Sequence, residues 1–239
     1  MDCYAPAPRA APQRAASVVS DRRVTLRLVT GKDHYDHVIE AVRRAEVSVW
    51  IATANLKDVH VEARVGTRAR ARGRFESLMD ELGELSARGV EVRILHSGAP
   101  SGPLSARLAR GGRARKVELR RCVRVHMKMI AIDGRLLYLG SANFTGAGLG
   151  AKVEGRRNFE AGILTTDDVL LDRMQAELDA IWSGKECGGC RVRAECPRPL
   201  DGLGSAPVSG SSRSGSAAPA RAAAASPPRG GVRGRRRGT

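Results

Sequence analysis

The sequence has few aromatic residues and no long uninterrupted apolar run. Phe, Trp and Tyr make up 3% of its 239 residues, although apolar residues reach 42%, enough for the core of one α/β domain. No stretch approaches the roughly 18 consecutive apolar residues of a membrane span, so no transmembrane segment is predicted. The first 22 residues are rich in Ala, Pro and Arg and lack the apolar core of a signal peptide. We therefore expect no secretion and a cytoplasmic location.

Acidic residues are missing from one end of the chain. From Gly202 to Thr239 the sequence is dominated by Gly, Ser, Ala, Pro and Arg and contains neither Asp nor Glu. This composition cannot build a core. We predict a disordered arm at 1–22, a folded domain at 23–184, a Cys-rich segment at 185–200 and a disordered basic tail at 201–239. The formal net charge of +16 favours a phosphate-bearing partner, either nucleic acid or an anionic membrane surface.

Between the two ends, apolar residues alternate between strand-like and helix-like spacing. Strands are predicted at 24–30, 46–56, 90–97, 117–122, 125–133, 136–143 and 158–165. Helices are predicted from apolar stripes at Tyr35, Val38, Ile39 and Val42, at Phe75, Leu78, Met79, Leu82 and Leu85 with Gly89 as C-cap, and at Leu171, Met174, Leu178, Ile181 and Trp182 with Thr166 or Asp167 as N-cap. The basic segment 61–74 has no hydrophobic period and is predicted to be a mobile loop. The element order predicts an α/β fold with helices on both faces of a mixed β-sheet.

One predicted strand carries polar residues for which a core strand has little use. In the stretch RVHMKMIAIDGRLLYLGSAN, His126 and Lys128 share a face because side chains alternate along a strand. Ser141 and Asn143 share a face of the next strand, and a turn at Asp133 would bring the two pairs together. An imidazole can attack or transfer a proton, while an ammonium and an amide can hold a negatively charged oxygen. This set of groups fits phosphoryl transfer.

The spacing of these residues matches a specific pattern, H-x-K-x4-D-x6-G-S-x-N. The residues at its fixed positions are His126, Lys128, Asp133, Gly140, Ser141 and Asn143. The segment closely resembles the signature of the phospholipase D superfamily, and the element order from about Val24 to Trp182 is similar to that fold. The resemblance implies a metal-independent phosphodiester hydrolase that needs no cofactor for catalysis.

The resemblance also implies roles for individual residues. His126 would be the nucleophile that forms a phosphohistidine, while Lys128 and Asn143 would hold the phosphate oxygens. Ser141 would order the pocket. Glu160, in the sequence NFE, would hydrogen-bond His126 and fix its tautomer.

Other polar residues are expected to lie outside the phosphate contacts. Alternation places Asp133 on the opposite strand face from the nucleophile, so it would support or orient the catalytic set. His96 ends a strand, and a capping or surface role is expected for it. His34, His37 and His60 have no matching partner and are predicted to be surface residues.

The sequence contains one H-x-K motif, and its length is about half that of superfamily members with two motifs. It is therefore more similar to the single-motif members, the small bacterial endonuclease and the mitochondrial cardiolipin hydrolase. This resemblance implies a homodimer with one composite active site. A degenerate pseudo-enzyme is the alternative.

The substrate is less clearly indicated than the chemistry. Arg156 and Arg157 are predicted to bind substrate together with Lys128 and Asn143. Basic residues also crowd the approach to the motif, at Arg107, Arg110, Arg113, Arg115, Lys116, Arg120, Arg121, Arg124 and Lys152. They favour nucleic acid, although few aromatics are present to stack bases. Hydrolysis of anionic phospholipid is the alternative, against which stands the lack of an amphipathic helix with Trp or Phe on its apolar face. A nucleic-acid-binding protein with vestigial catalysis is a second alternative.

Three cysteines cluster near the end of the folded region. Cys187, Cys190 and Cys196 have the spacing C-x2-C-x5-C, which resembles the run found in iron–sulfur nucleases of the RecB type. A closed zinc or iron–sulfur site needs a fourth ligand, for which Cys122 and Cys3 are the candidates. Free thiols or redox pairing are the alternative.

Overall fold

The computed structural model describes residues 21–196 and 198–202. The chain divides into two units, Met1–Ser205 and Ala206–Thr239, and the second lies outside the described residues. The predictions for residues 1–20 and 203–239 also fall outside them. Arg22, assigned to the arm by the sequence, forms an ion pair with Asp167. The first residues assigned to the tail belong to a 3₁₀ turn at Leu200–Gly202.

The described residues form alternating strands and helices. The strands are β1 (Arg27–Thr30), β2 (Ser48–Thr53), β3 (His60–Glu62), β4 (Phe75–Ser77), β5 (Glu91–His96), β6 (Glu118–Arg121), β7 (Met129–Ile132), β8 (Leu136–Gly140) and β9 (Ala161–Thr165). The α-helices are α1 (Glu40–Arg43), α2 (Arg68–Ala71), α3 (Leu78–Ala87), α4 (Gly102–Arg110) and α5 (Asp168–Trp182). A π-helical turn at His34–Ile39 leads into α1, and further 3₁₀ turns lie at Arg113–Lys116 and Arg193–Glu195.

The large sheet is mixed, as predicted. Within the described residues it has seven strands in the order β1-β9-β8-β7-β2-β5-β6. β2, β5 and β6 run parallel to one another, whereas the pairs β2–β7, β7–β8, β8–β9 and β9–β1 are antiparallel. The sheet therefore joins a parallel half, where crossover helices connect the strands, to an antiparallel half that consists of β7, β8, β9 and β1.

Helices cover both faces of this sheet, which confirms the predicted fold class. On one face, Ile130 and Ile132 of β7 pack in a cluster with α1 and α3 residues. On the other face, Met129 and Ala131 pack with Leu171, Leu178 and Trp182 of α5. The N-terminus of α5 is capped by Asp167, whose side chain accepts a hydrogen bond from the Leu170 amide at 2.9 Å. No helix among the described residues is long and apolar enough to cross a membrane.

The segment predicted as a mobile basic loop is instead a small structured element. β3 and β4 form a two-stranded antiparallel sheet, and α2 lies between them. Arg64 of this segment lies 3.3 Å from the buried carboxylate of Glu81, which also accepts two hydrogen bonds from Arg43 of α1. Val61 packs in the apolar core. Sequence periodicity missed this segment because one core residue, short strand pairing and ion pairs hold it, and an apolar stripe does not.

The second predicted helix begins later than its apolar pattern indicated. Phe75 belongs to β4 and is 60% exposed, so it is not part of the buried stripe. Ser77 has extended backbone angles, and α3 starts at Leu78. Pairing of Phe75 with Glu62 across the two strands overrides the helical spacing. Gly89 follows the helix with a φ of 98°, consistent with the predicted helix end.

Candidate active site

The motif residues lie at the end of the large sheet that is formed by the carboxyl ends of its parallel strands; this end is called the carboxyl edge below. Thr53, His96 and Arg121 are the last residues of β2, β5 and β6 and stand side by side in register. On the other side of β2, the Gly140 amide donates to the Lys128 carbonyl at 3.2 Å. Ligand sites of α/β sheets form at the carboxyl ends of the strands. The motif therefore occupies the edge of the sheet at which such a site is expected.

His126 and Lys128 precede β7 and are not part of it. The predicted strand 125–133 is observed only from Met129 to Ile132. His126 and Lys128 therefore lie in irregular backbone before the strand and do not share a strand face as predicted. The imidazole is exposed, and the Lys128 ammonium Nζ lies 3.3 Å from its Nδ1 and 3.4 Å from its Nε2. Nζ also donates to the His126 carbonyl at 2.8 Å. The two groups are together; the histidine is exposed and the lysine is half-buried.

Asn143 connects the motif to the end of β2. Its Oδ1 accepts from the Asn55 amide at 3.0 Å and from the Thr53 hydroxyl at 3.4 Å. The Thr53 hydroxyl in turn accepts from the Phe144 amide at 2.9 Å. An amide oxygen held by a backbone N–H fixes which way the side chain points. Among the described residues no hydrogen bond engages Nδ2, so its two N–H groups are donors available to a ligand.

Ser141 and Glu160 are brought together, but not with His126. The Ser141 hydroxyl donates to the Glu160 carboxylate and accepts from the Ala161 amide at 3.1 Å. The other Glu160 oxygen accepts from the Asn158 side chain at 3.0 Å. Within the described part of the chain, no hydrogen bond joins Glu160 to His126. The single chain therefore holds Glu160 on Ser141, and the tautomer of His126 is not set by the expected contact.

Two glycines make room for a tyrosine under the site. A Cβ at Gly140 would come within 2.3 Å of the Tyr138 hydroxyl, and one at Gly162 within 2.4 Å of its ring. Gly140 and Gly162 face each other in register across β8 and β9. The motif glycine is thus required by close packing, since any side chain there would displace the buried ring.

Tyr138 leads to a buried histidine that sequence reasoning placed at the surface. His34 is fully buried, and its Nε2 lies 3.0 Å from the Tyr138 hydroxyl while its Nδ1 lies 3.2 Å from the Gly31 carbonyl. Since a carbonyl only accepts, Nδ1 carries the proton and Nε2 accepts from Tyr138. Burial lowers the pKa of His34 and raises the pKa of Tyr138 to about 12, although a hydrogen bond from the Ala142 amide opposes the latter. Glu160 adds a charge that raises both values.

Asp133 supports the site from the far end of the hairpin. Its carboxylate accepts hydrogen bonds from the amides of Glu46, Val47 and Ser48 at 2.7–3.1 Å, which ties the β7–β8 turn to the start of β2. Burial raises the pKa of Asp133, but these hydrogen bonds outweigh burial and hold it below the ordinary value. Asp133 and Gly134 both have positive φ, 55° and 61°. The turn thus needs residues that tolerate left-handed backbone, and Asp133 has no contact with the motif histidine.

His96 is the other histidine that the sequence misplaced. It is buried, and its Nδ1 donates to the Gly98 carbonyl at 2.8 Å. Burial lowers the pKa of His96. The hydrogen bond to Gly98 raises it, and the charge of nearby Arg121 lowers it again. The sequence predicted the place of His96 at the end of a strand, where it lies in register with Thr53, but not its burial. His60 is exposed, as predicted, and His37 is half-buried.

The family follows from comparison of the whole sequence. Residues 38–182, more than half of the chain, match the family described as "Cardiolipin synthase, PLD-like domain". The chain belongs to the phospholipase D superfamily. No curated protein matches the sequence.

Several solved structures resemble the chain weakly. NucT from Helicobacter pylori is 16% identical with a TM-score of 0.46, covering 66% of this chain and 94% of that one. Nuc from Salmonella typhimurium, a phospholipase D family member, is 16% identical with a TM-score of 0.46, covering 67% and 95%. Phosphatidylserine synthase from Haemophilus influenzae is 12% identical with a TM-score of 0.44, covering 65% and 36%.

Part of the basic surface predicted for this superfamily member is used inside the fold. Arg107 contacts Asp58 and Asp80, and Arg113 contacts Glu84. Others bind backbone carbonyls: Arg120 donates to Trp182, Arg121 to Ser97 and Arg157 to Lys152, at 2.6–2.9 Å. Arg156 is exposed. The count of basic residues in the sequence therefore overstates the charge available to a ligand.

The cysteines are not part of the catalytic edge. Cys122, which follows β6, and Cys187, Cys190 and Cys196, which follow α5, line one cavity of about 240 Å³. Among the described residues no group of three or more His, Cys, Asp or Glu side chains is spaced to hold a metal ion. All four thiols are free.

Proposed function

We propose that this member of the phospholipase D superfamily hydrolyses phosphodiesters without a catalytic metal, through a phosphohistidine on His126. The observation that carries the proposal is the exposed His126 imidazole within 3.4 Å of the Lys128 ammonium, at the carboxyl edge of the sheet. Enzymes of this superfamily are generally metal-independent. The function rests on this pair of residues together with family membership.

The donor set fits attack on a phosphate better than it fits a metal ion. Lys128 supplies positive charge, and Asn143 supplies N–H donors held in place by its bonds to β2. The carboxylates of the motif region are engaged elsewhere, Asp133 with backbone amides and Glu160 with Ser141 and Asn158. Oriented donors of this kind stabilise charge on the non-bridging oxygens during displacement.

The reaction takes two displacements at phosphorus. A ring nitrogen of His126 attacks, an N–P bond forms, and the bond to the leaving oxygen breaks. That oxygen takes a proton from a general acid. Water then attacks phosphorus, the N–P bond breaks, and the general acid, now a base, removes the proton of the water.

A second copy of the chain supplies the general acid in this proposal. One chain carries one H-x-K motif, and neither His34 nor His96 is available, because both are buried and hydrogen-bonded within the fold. Phe159 is fully exposed next to Glu160, which offers an apolar contact for a second copy at the rim of the site. We therefore infer a homodimer in which each His126 takes one of the two roles.

Nucleic acid is the favoured substrate. The net charge of +16, the exposed Arg124 two positions before His126 and the exposed Arg156 suit a polyanion, even after the internally paired arginines are set aside. Phospholipid is the second candidate, since the matching family is described as "Cardiolipin synthase, PLD-like domain" and its substrates carry the same phosphodiester.

A side-by-side assay in millimolar EDTA distinguishes these substrates. Purified protein is offered single-stranded DNA, duplex DNA, RNA, and vesicles of cardiolipin or phosphatidylcholine. We expect nucleic acid to be cleaved in EDTA, because no step needs a divalent ion. His126→Ala should lose at least about a hundredfold in rate, whereas His60→Ala, a change at an exposed histidine outside the site, should retain full activity.

Each other outcome identifies a different error. Cleavage of vesicles alone would replace nucleic acid with phospholipid as substrate. Activity abolished by EDTA and restored by Mg²⁺ would contradict the metal-independent mechanism. Binding of nucleic acid without cleavage of any substrate would favour the vestigial alternative.

A further inference from the structure

Four cysteines from two distant parts of the chain surround one cavity. Cys122 follows β6, and the other three lie more than 60 residues later, beyond α5. The cavity of about 240 Å³ is lined by all four, along with apolar side chains that include Met127, Ile181 and Leu200. Each thiol is half-buried and unoxidised. Cysteines that served only as core residues would not all converge on one open space.

Four thiols on one cavity match the number of ligands that a zinc ion or an iron–sulfur cluster takes from cysteine. Four thiolates on one zinc ion lie within about 4 Å of one another, given a Zn–S distance near 2.3 Å. No three of the described ligand-type side chains are spaced to hold a single ion, although these four share a cavity. A group of several metal ions bridged by sulfide fills a wider space while using the same four thiolates.

The charges around the cavity suit such a group. Arg121, Arg124 and Arg193 line it together with Glu177 and Glu186; Arg193 also pairs with Asp201, and Arg121 donates to the Ser97 carbonyl. Cluster-bound thiolates carry net negative charge, which neighbouring guanidinium groups stabilise.

We propose that Cys122, Cys187, Cys190 and Cys196 bind a four-iron iron–sulfur cluster that fastens residues 185–202 to the segment carrying His126. A preassembled cluster comes from the cell's assembly machinery. Each thiol loses one proton, and its thiolate displaces one outer ligand from an iron of that cluster, so one Fe–S bond forms as one iron–ligand bond breaks and no oxidation state changes. The cluster takes no part in hydrolysis.

The position of Cys122 gives the cluster its effect on the catalytic segment. Val125 and Met127, on either side of His126, pack in the same apolar cluster as Cys122 and Cys187. The Cys122 amide donates to the His96 carbonyl at 2.9 Å, and the Val125 amide donates to the Cys122 carbonyl at 3.0 Å. A ligand bond at Cys122 therefore restrains the backbone that positions the nucleophile.

The test is the metal content of the full chain purified without oxygen. We expect about four iron and four sulfide per chain, with broad visible absorbance. Cys122→Ser and Cys187→Ser should each lose the cluster. Cys3→Ser is the matched control, because Cys3 is the remaining cysteine and the competing fourth ligand, and it should keep the cluster.

A second readout is independent of activity and of the variants' folding. Removing iron from the wild-type chain should speed hydrogen exchange of the backbone amides at 122–128, and reconstitution with iron and sulfide should restore their protection. One zinc per chain without iron would overturn the cluster, and absence of both metals would overturn the site. Loss of iron in Cys3→Ser but not in Cys122→Ser would overturn the fourth ligand. Unchanged exchange would overturn the fastening role.

Discussion

The hydrogen bond between Tyr138 and His34 ties the catalytic strand to the turn before α1. We predict that Tyr138→Phe lowers the free energy of unfolding by about 1–3 kcal/mol, because the His34 Nε2 is left buried without a donor. Chemical denaturation at neutral pH measures the loss.

Tyr35→Phe is the matched control for this change. The Tyr35 hydroxyl accepts from the Glu62 amide at 3.1 Å, but its side chain is half-buried, so water can replace it. Its loss of stability should be clearly smaller. Equal losses of unfolding free energy in the two variants would contradict the prediction that burial makes the Tyr138–His34 hydrogen bond the more stabilising one.

At this scale the sequence predicted residue types better than residue contacts. The motif spacing placed His126 and Lys128 together, since only Met127 separates them. The contacts that support them join residues about 90 to 100 positions apart, as in Thr53 with Asn143 and His34 with Tyr138. His34 stands in a charged stretch, KDHYDH, that has the composition of a surface. No local pattern shows that a tyrosine from another strand will bury it.

The stability of the β7–β8 hairpin depends on Asp133, whether or not this residue takes part in the reaction. Asp133→Ala removes the acceptor for the amides of Glu46, Val47 and Ser48 and puts alanine at a φ of 55°. We predict a loss of about 2 kcal/mol or more in unfolding free energy. The rate per folded molecule should fall far less than in His126→Ala, since Asp133 does not contact the phosphate in this account.

Asp133→Asn is the control, because asparagine tolerates the same backbone angle and keeps one acceptor oxygen. The pH dependence has a definite sign. Folding lowers the pKa of Asp133. The ionised carboxylate therefore contributes fully to the free energy of unfolding above pH 3.8, the ordinary pKa, and this contribution is lost as pH falls through the lower pKa of the folded state. The stability difference between wild type and Asp133→Asn should therefore shrink in acid. A rate loss in Asp133→Asn as large as that of His126→Ala would make Asp133 a catalytic group.

Strand and helix types were largely predictable, but their ends were not. The predicted strand 46–56 shortens to Ser48–Thr53 because Asn55 leaves the ladder and donates its amide to Asn143. The predicted strand 125–133 loses its first four residues, where Lys128 bonds to Gly140 outside a regular ladder. In both places the chain departs from the strand to build the site, and alternation of residue types does not reveal such departures.

The whole molecule raises the question of how one motif can supply two catalytic groups. Its described residues offer no second exposed histidine beside Lys128, since His34 and His96 are buried. Composition indicated the basic character of the chain, but the fold decides which arginines remain available. The central claim is that two copies of His126 act in one site, one as nucleophile and one as general acid.

Subunit mixing tests that claim most directly. Wild-type chains and His126→Ala chains are unfolded together and refolded, so that subunits pair at random, and hydrolysis in EDTA is measured per total protein. Loss of a nucleophile or of its acid partner costs orders of magnitude in rate. If a site needs both histidines, only wild-type pairs work, and activity follows the square of the wild-type fraction, giving one quarter of full activity at equal mixing. Activity proportional to that fraction, one half at equal mixing, would contradict the shared site, and activity in the pure variant would contradict His126 as nucleophile.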